Sequence, residues 1–220
     1  MTPADLLDRE LRRDGARPLL TWYDDATGGR VELSVATAAN WAAKIANHLV
    51  DEVGVEPGDV VAVEPAVHWI TAVVMLGAWT ASGQVTVTGS PAIDISRDAM
   101  GVGLSGVVGG QPDAYVGMPP DASAAALSLD GRTWTHAELA AAALHAASHH
   151  GIGRDDRVLS TLPCDSADGL DAGLLVPLAA GASVVLVDRV DATGLAARCE
   201  TEKVTHTAGV AVPGLPRLDG

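Results

Sequence analysis

Two stretches of this chain carry nearly the same pattern about a hundred residues apart, and that repetition limits its fold more than any other feature. The first runs from Ser34 through an Ala/Leu-rich helical stretch to Gly54-Val55-Glu56-Pro57-Gly58-Asp59-Val60-Val61, then through an aliphatic segment to Ser82-Gly83-Gln84-Val85. The second runs from Thr135 to Gly151-Ile152-Gly153-Arg154-Asp155-Asp156-Arg157-Val158, then to Ala180-Gly181-Ala182-Ser183-Val184. The offset is 97 from Gly54 to Gly151, 97 from Asp59 to Asp156 and 98 from Gly83 to Gly181, but 101 from Ser34 to Thr135. The second helix is therefore shorter by roughly four residues, one helical turn. A period this long excludes a solenoid and indicates two α/β modules.

Short strands are expected at 19–23 and 30–33, a helix at 36–51, a strand at 60–63, a helix at 67–81 and a strand at 84–87. Such alternation implies mostly parallel sheets covered by helices. The fold class expected is α/β, with two similar βαβ-type subdomains, residues 1–120 and 121–220. Gly109-Gly110-Gln111-Pro112 and Gly117-Met118-Pro119-Pro120 supply the linker signals between them. From 92 to 118 the pattern weakens to a short helix near Arg97 and strand-like pieces at 106–108 and 114–116. The second module opens on Ala126 to Leu129, an Asp130-Gly131 turn and Arg132 to Thr135, a hairpin signature with type I′ chemistry.

A formal charge of −14, from 28 acidic and 14 basic residues, argues against a nucleic-acid partner, which needs clustered Lys and Arg. The same balance disfavours an anionic membrane surface. The two longest apolar stretches, 70–87 and 170–187, are broken by Ser, Gly, Gln, Asp and Pro and read as helix, turn and strand. The start lacks the basic and apolar regions of a signal peptide. Two cysteines, Cys164 and Cys199, fit a reducing compartment, so a cytoplasmic location is expected. With 3 % aromatics and no Phe, the core is expected to rest on Ala, Val, Leu and Ile.

Glu32-Leu33-Ser34 through His48-Leu49, Gly54 through Val63 and the small-residue helix ending at Ser82-Gly83 resemble the N-terminal region of acyl-CoA synthetases and their adenylate-forming relatives. Trp134-Thr135-His136 through Leu159, Leu162-Pro163, Gly169 to Val187, Val204-Thr205-His206-Thr207 and Val212-Pro213 resemble that family's second subdomain. The resemblance implies two similar α/β subdomains, in agreement with the repeat. It also implies ATP-dependent activation of a carboxylate, with a Ser/Thr/Gly-rich loop ending in Pro-Lys that holds phosphates through backbone N–H groups and a cation.

The departures matter more for function. Where the phosphate loop is expected, 124–135 holds one glycine and no lysine, and Leu129-Asp130-Gly131-Arg132 reads as a hairpin. The loop that lines the family's acyl pocket falls on Pro163-Cys164-Asp165-Ser166-Ala167-Asp168-Gly169, where Cys, Asp and Ser replace apolar and aromatic positions. An acyl tail there would desolvate two carboxylates. The family's adenine and ribose motifs and its C-terminal domain with a catalytic lysine fall beyond Gly220. Ordinary adenylation is therefore not expected, and no catalytic residue is assigned.

Other signals have ordinary explanations. Gly101-Val102-Gly103-Leu104-Ser105-Gly106 matches a dinucleotide fingerprint, but no strand precedes it, so a loop is expected. Asp165, Asp168 and Asp171 suit a hard cation or, equally, a helix start, and the second is favoured. His145 and His149 share a helical face without a third ligand, so no metal site is expected. Cys164 beside acids reads as a small packed side chain.

The expectation is a non-catalytic relative of the AMP-dependent acyl-CoA synthetases that binds a protein partner, another copy or a small molecule, without a cofactor. The alternative is a domain that still holds a nucleotide (ATP or AMP), CoA or an acyl group between the subdomains, with Pro163, Asp165, Ser166, Asp168 and Gly169 as candidate binding residues.

Overall fold

A computed structural model describes residues 1–90 and 102–219. The chain opens with α1 (Pro3–Asp14), the hairpin β1 (Pro18–Asp24) and β2 (Gly29–Ser34), and α2 (Val35–His48). It continues through β3 (Val60–Ala62), α3 (Trp69–Thr80), β4 (Gln84–Thr86) and α4 (Val102–Val108). The second half repeats the order: hairpin β5 (Ala125–Leu129) and β6 (Arg132–Thr135), α5 (His136–His149), β7 (Arg157–Ser160), then α6 (Ala167–Leu170) and α7 (Val176–Ala180) around a π-helical turn at Asp171–Leu175. Strand β8 (Ser183–Asp188), α8 (Leu195–Thr201) and β9 (His206–Ala208) complete it.

The repeat landmarks mark matching local structures. Ser34 and Thr135 both cap helices: the Ser34 hydroxyl accepts the Thr37 N–H, and the Thr135 hydroxyl accepts the Glu138 N–H. The Glu138 carboxylate accepts the Thr135 N–H in return, completing a capping box. The extra turn of the first copy is a π-helical segment, Leu49–Val53, closed by Gly54 at φ +80. In the second copy α5 stops at His149 and the chain reverses at Gly151, φ +67.

The fold is α/β with two mostly parallel, helix-covered sheets, and each sheet takes strands from both copies. Sheet A has the order β2-β1-β8-β7-β9 and sheet B the order β3-β4-β5-β6. Each N-terminal hairpin has joined the other copy's strands: β1 runs parallel to β8, and β5 runs parallel to β4. A division of the chain at residue 120 therefore separates the copies and cuts through both sheets.

Between the sheets lies α3, whose residues from Trp69 to Trp79 are all buried. Such a helix has no polar face because it has no solvent face. Two indoles tie it to opposite sheets. Trp22 on β1 donates to the carbonyl of Val67, just ahead of α3, at 2.9 Å, and Trp79 donates to the Ala126 carbonyl of β5 at 2.9 Å. Gly77 lets α2 approach, since a Cβ there would fall 2.5 Å from the Ile45 side chain. The aliphatic core expected from composition is present, yet three of its largest wholly buried side chains are Trp22, Trp69 and Trp79.

Helix α1 is fastened to the second half by a buried carboxylate. Glu10, 1 % exposed, meets Arg9 at 2.9 Å, Arg154 at 3.3 Å and Arg17 at 3.7 Å. Arg9 also donates to the Ala179 carbonyl at the end of α7, at 2.7 Å.

Two expectations between the copies are corrected. Residues 102–108 form α4 and not a loop with a strand-like 106–108, because Leu104 and Val108, four apart, bury themselves on one helical face. No strand forms at 114–116, where the carbonyls of Pro112 and Ala114 accept instead from the Asn47 side chain. The helix expected near Arg97 and the first glycine of the fingerprint, Gly101, lie outside the described residues. Among the described residues no helix is long and apolar enough to cross a membrane.

Replacing Gly77 by Ala forces a methyl group into Ile45 and the Ala42 carbonyl, the latter 3.1 Å away. We expect a loss of about 1–3 kcal/mol in denaturant unfolding, the range for overpacking a tight core. Gly106→Ala, inside α4 with open space around it, will instead raise stability by about 0.5–1 kcal/mol.

Candidate functional site

In open α/β sheets, ligands are held at the carboxyl ends of parallel strands. Here the carboxyl ends of β3, β4 and β5 share one cleft of about 620 Å3 with the loop after β7. Pro65 follows β3, Thr86, Val87 and Thr88 end β4, Ser128 and Leu129 end β5, and the turn Asp130-Gly131 and Asp165 close the sides.

The hairpin that stands in place of a phosphate loop is built as its sequence implies. Asp130 and Gly131 have φ of +52 and +73, the doubly left-handed pair of a type I′ turn. Arg132, the nearest cation in sequence, places its guanidinium 3.3 Å from the centre of the Trp134 ring and does not line the cleft. The hydroxyls of the cleft are already bonded. Ser128 accepts from the Gln84 amide at 2.7 Å and lies 3.2 Å from the Thr133 hydroxyl, and Thr86 and Thr88 are 3.0 Å apart. The polar groups left to face a ligand are the exposed carboxylates Asp130 and Asp165. No Lys or Arg is among the lining residues.

Of the five residues singled out in the second module, the structure brings one, Asp165, to the cleft. Ser166 is the N-cap of α6, its hydroxyl accepting the Gly169 N–H at 3.2 Å, and Asp168 sits in the first turn of that helix. Pro163 and Gly169 hold the loop shut: a Cβ on Gly169 would lie 1.8 Å from the Pro163 carbonyl oxygen. Pro65, Thr86, Thr88 and Ser128 were not among the candidate site residues of the sequence reading. The repeat held the signal, since Pro65 stands 98 positions before Pro163.

Beneath the loop, the Cys164 thiol is buried and pushed up to about 12, by loss of hydration and then by Asp165, so it stays protonated and unreactive. Asp171, in the π-helical turn, is raised to about 6 by burial first and the nearby Asp168 second. His145 and His149 stack with ring centres 6.4 Å apart. No group of three or more His, Cys, Asp or Glu able to hold a metal ion occurs among the described residues.

Comparison with known proteins agrees with this architecture. The AMP-binding enzyme family matches residues 130–212, from the hairpin turn to the segment after β9. A Mycobacterium tuberculosis (strain H37Rv) protein described as a TIGR03089 family protein is 36 % identical over 91 % of this chain and 95 % of its own length. Among solved structures, apo MatB from Rhodopseudomonas palustris superposes with a TM-score of 0.74 at 22 % identity, over 96 % of this chain and 50 % of its own. The anthranilate CoA ligase AuaEII, in complex with anthranoyl-AMP, gives 0.76 at 14 % identity, over 95 % and 48 %. The N-terminal domain of FACL13 from Mycobacterium tuberculosis gives 0.75 at 15 %, over 95 % and 62 %. The chain spans about half the length of the first two of these solved structures.

Because the folded state raises the pKa of Asp171 above the unfolded value of about 3.9, its protonated form is favoured on folding. That contribution is complete below about pH 4 and is lost as pH rises through about 6. Asp171→Asn will therefore stabilise the protein by about 1–2 kcal/mol at pH 7.5 and change little at pH 4, as measured by thermal unfolding at both pH values.

Proposed function

The chain belongs to the family of the mycobacterial TIGR03089 family protein, within the AMP-binding superfamily, and we propose that it is a binding protein that keeps this scaffold without adenylating carboxylates. The observation that carries the reading is the charge of the cleft at the strand ends. Its lining presents Asp130 and Asp165 and neither Lys nor Arg. A nucleoside triphosphate placed there brings negative charge against carboxylates, at about 4 kcal/mol for each unit pair 4 Å apart in a partly solvated site. The turn at Asp130-Gly131 adds to this. A phosphate cradle needs several backbone N–H groups converging on one point, and a two-residue hairpin turn does not offer them.

A second reading draws on the size of the same cleft. About 620 Å3 lies within the usual range for small-molecule sites, and the position at parallel strand ends is where such sites occur. Under it, a nucleotide, CoA or acyl group occupies the cleft with Asp165 at its wall.

Incubation of the pure protein with ATP, magnesium and a panel of aliphatic and aromatic carboxylic acids separates the two. The binding-protein reading expects no acid-dependent release of pyrophosphate above a no-protein control. Release that depends on both the acid and the protein would overturn it.

A further inference from the structure

We propose that a second cavity, between α1, α2 and the segment 113–120, binds a small organic amine, with an ammonium head on a compact apolar body. It shares no lining residue with the cleft at the strand ends, so the site goes beyond either reading of that cleft. The cavity measures about 380 Å3, within the usual range for small-molecule sites, and every residue that lines it is described. Thr80, the last residue of α3, is part of the lining, and β4 begins shortly after it at Gln84. The cavity therefore lies toward the amino end of β4, opposite the cleft at its carboxyl end.

Helix periodicity builds the first wall. Ala4, Leu7, Asp8 and Leu11 recur every three or four residues, so they lie along one face of α1. On α2 the wall is Ala39 and Ala43, whose small side chains leave the space that larger ones would fill. The third wall, the segment 113–120, is held by two side chains of α2. The Lys44 ammonium donates to the Gln111 carbonyl at 2.6 Å and lies 2.9 Å from the Asp113 carboxylate. The Asn47 amide donates to the Pro112 and Ala114 carbonyls, each at 3.1 Å. Beyond them the Tyr115 ring lies on Gly117, where a Cβ would fall 2.1 Å from the phenol oxygen. A wall fixed by these contacts is in place before a ligand arrives, so little ordering is left for binding to offset.

The lining selects both ends of the ligand. Asp5, Asp8 and Asp113 line the cavity and neither Lys nor Arg does. Asp113 is matched by Lys44, which leaves the two acids of α1. One Asp5 carboxylate oxygen accepts the Thr2 N–H at 2.8 Å, and the other has no partner among the described residues. Arg12, the cation beside Asp8, stands 3.8 Å away, beyond hydrogen-bond reach. Two carboxylates with acceptor capacity to spare thus sit three residues apart on the face that borders the cavity. At the rim, Leu11 is 38 % and Met118 73 % exposed, large apolar side chains that an apolar body would cover. A ligand with a carboxylate or phosphate meets like charge here. A metal ion is the wrong cation, because no group of three or more His, Cys, Asp or Glu able to hold one occurs among the described residues. An organic ammonium satisfies the carboxylates and the apolar rim together.

The test is an NMR titration of the pure protein, its methionine methyl groups labelled, with phenethylamine, 2-phenylethanol and 3-phenylpropionate, which share a ring and differ in the charge of the head. The amine will move the Met118 methyl resonance to saturation and bind about tenfold more tightly than the alcohol, the difference two partly exposed ion pairs supply. The acid will leave that resonance in place. Asp5→Asn with Asp8→Asn will reduce amine binding to the level of the alcohol. Asp130→Asn with Asp165→Asn, which removes the same charge at the cleft, will change it by less than about threefold. Met118→Lys, at an exposed position that does not bear on folding, will weaken the amine as strongly as the α1 pair does. Equal affinity for amine and alcohol, equal weakening by the cavity and cleft pairs, or unchanged binding to the Met118→Lys protein would overturn the site. So would an amine that saturates the protein without moving Met118, or one that does not bind at millimolar concentration.

Discussion

Everything in this fold is arranged around a helix with no exposed side. Because α3 is apolar all round, it is stable only with protein on every side, and the two sheets and α2 supply that cover. The indoles of Trp22 and Trp79 set its position along the axis, each satisfying a carbonyl on a different element as it buries its ring. The absence of a side chain at Gly77 sets how near α2 can come.

The exchange of hairpins follows from the same requirement. If each hairpin stayed with its own copy, each sheet would belong to one half and the halves would meet only across their helices. By joining β1 to β8 and β5 to β4, the chain makes both sheets depend on both halves. The carboxyl ends of β3 and β4 from the first copy thereby come beside the turn of β5 and the loop after β7 from the second. The cleft exists because of this exchange, and neither copy contains it alone.

Much of this was legible in the sequence, and the parts that were not have physical reasons. Ser34, Thr135, Gly54, Gly151 and the Asp130-Gly131 turn act locally, through caps and left-handed backbone positions, and local chemistry is what a sequence displays. Strand partnership is not local, so the repeat read as two separate subdomains. Helix α4 was missed because glycines and β-branched valines weaken its intrinsic signal, and only packing makes it a helix. At the site, the loop 163–169 stands out in the sequence, but most of its residues serve the loop itself: Ser166 caps, Pro163 and Gly169 touch, and Asp165 alone of the five faces the cleft. The partners of Asp165 come from the other copy, and only the offset between Pro65 and Pro163 connected them.

The functional account depends on one electrostatic fact, that the place where a polyphosphate would lie is bordered by carboxylates and not by cations. The most direct measurement is thermal unfolding of the pure protein with and without ATP and magnesium, with AMP, CoA and acyl-CoA in parallel. A ligand held only by the folded state, at a hundred times its dissociation constant, adds about 2.7 kcal/mol. For a chain of this size that raises the melting temperature by roughly 5–10 °C. The account predicts no rise with ATP at millimolar concentration. A clear rise with ATP, abolished by blocking the cleft with Ser128→Trp, would contradict it.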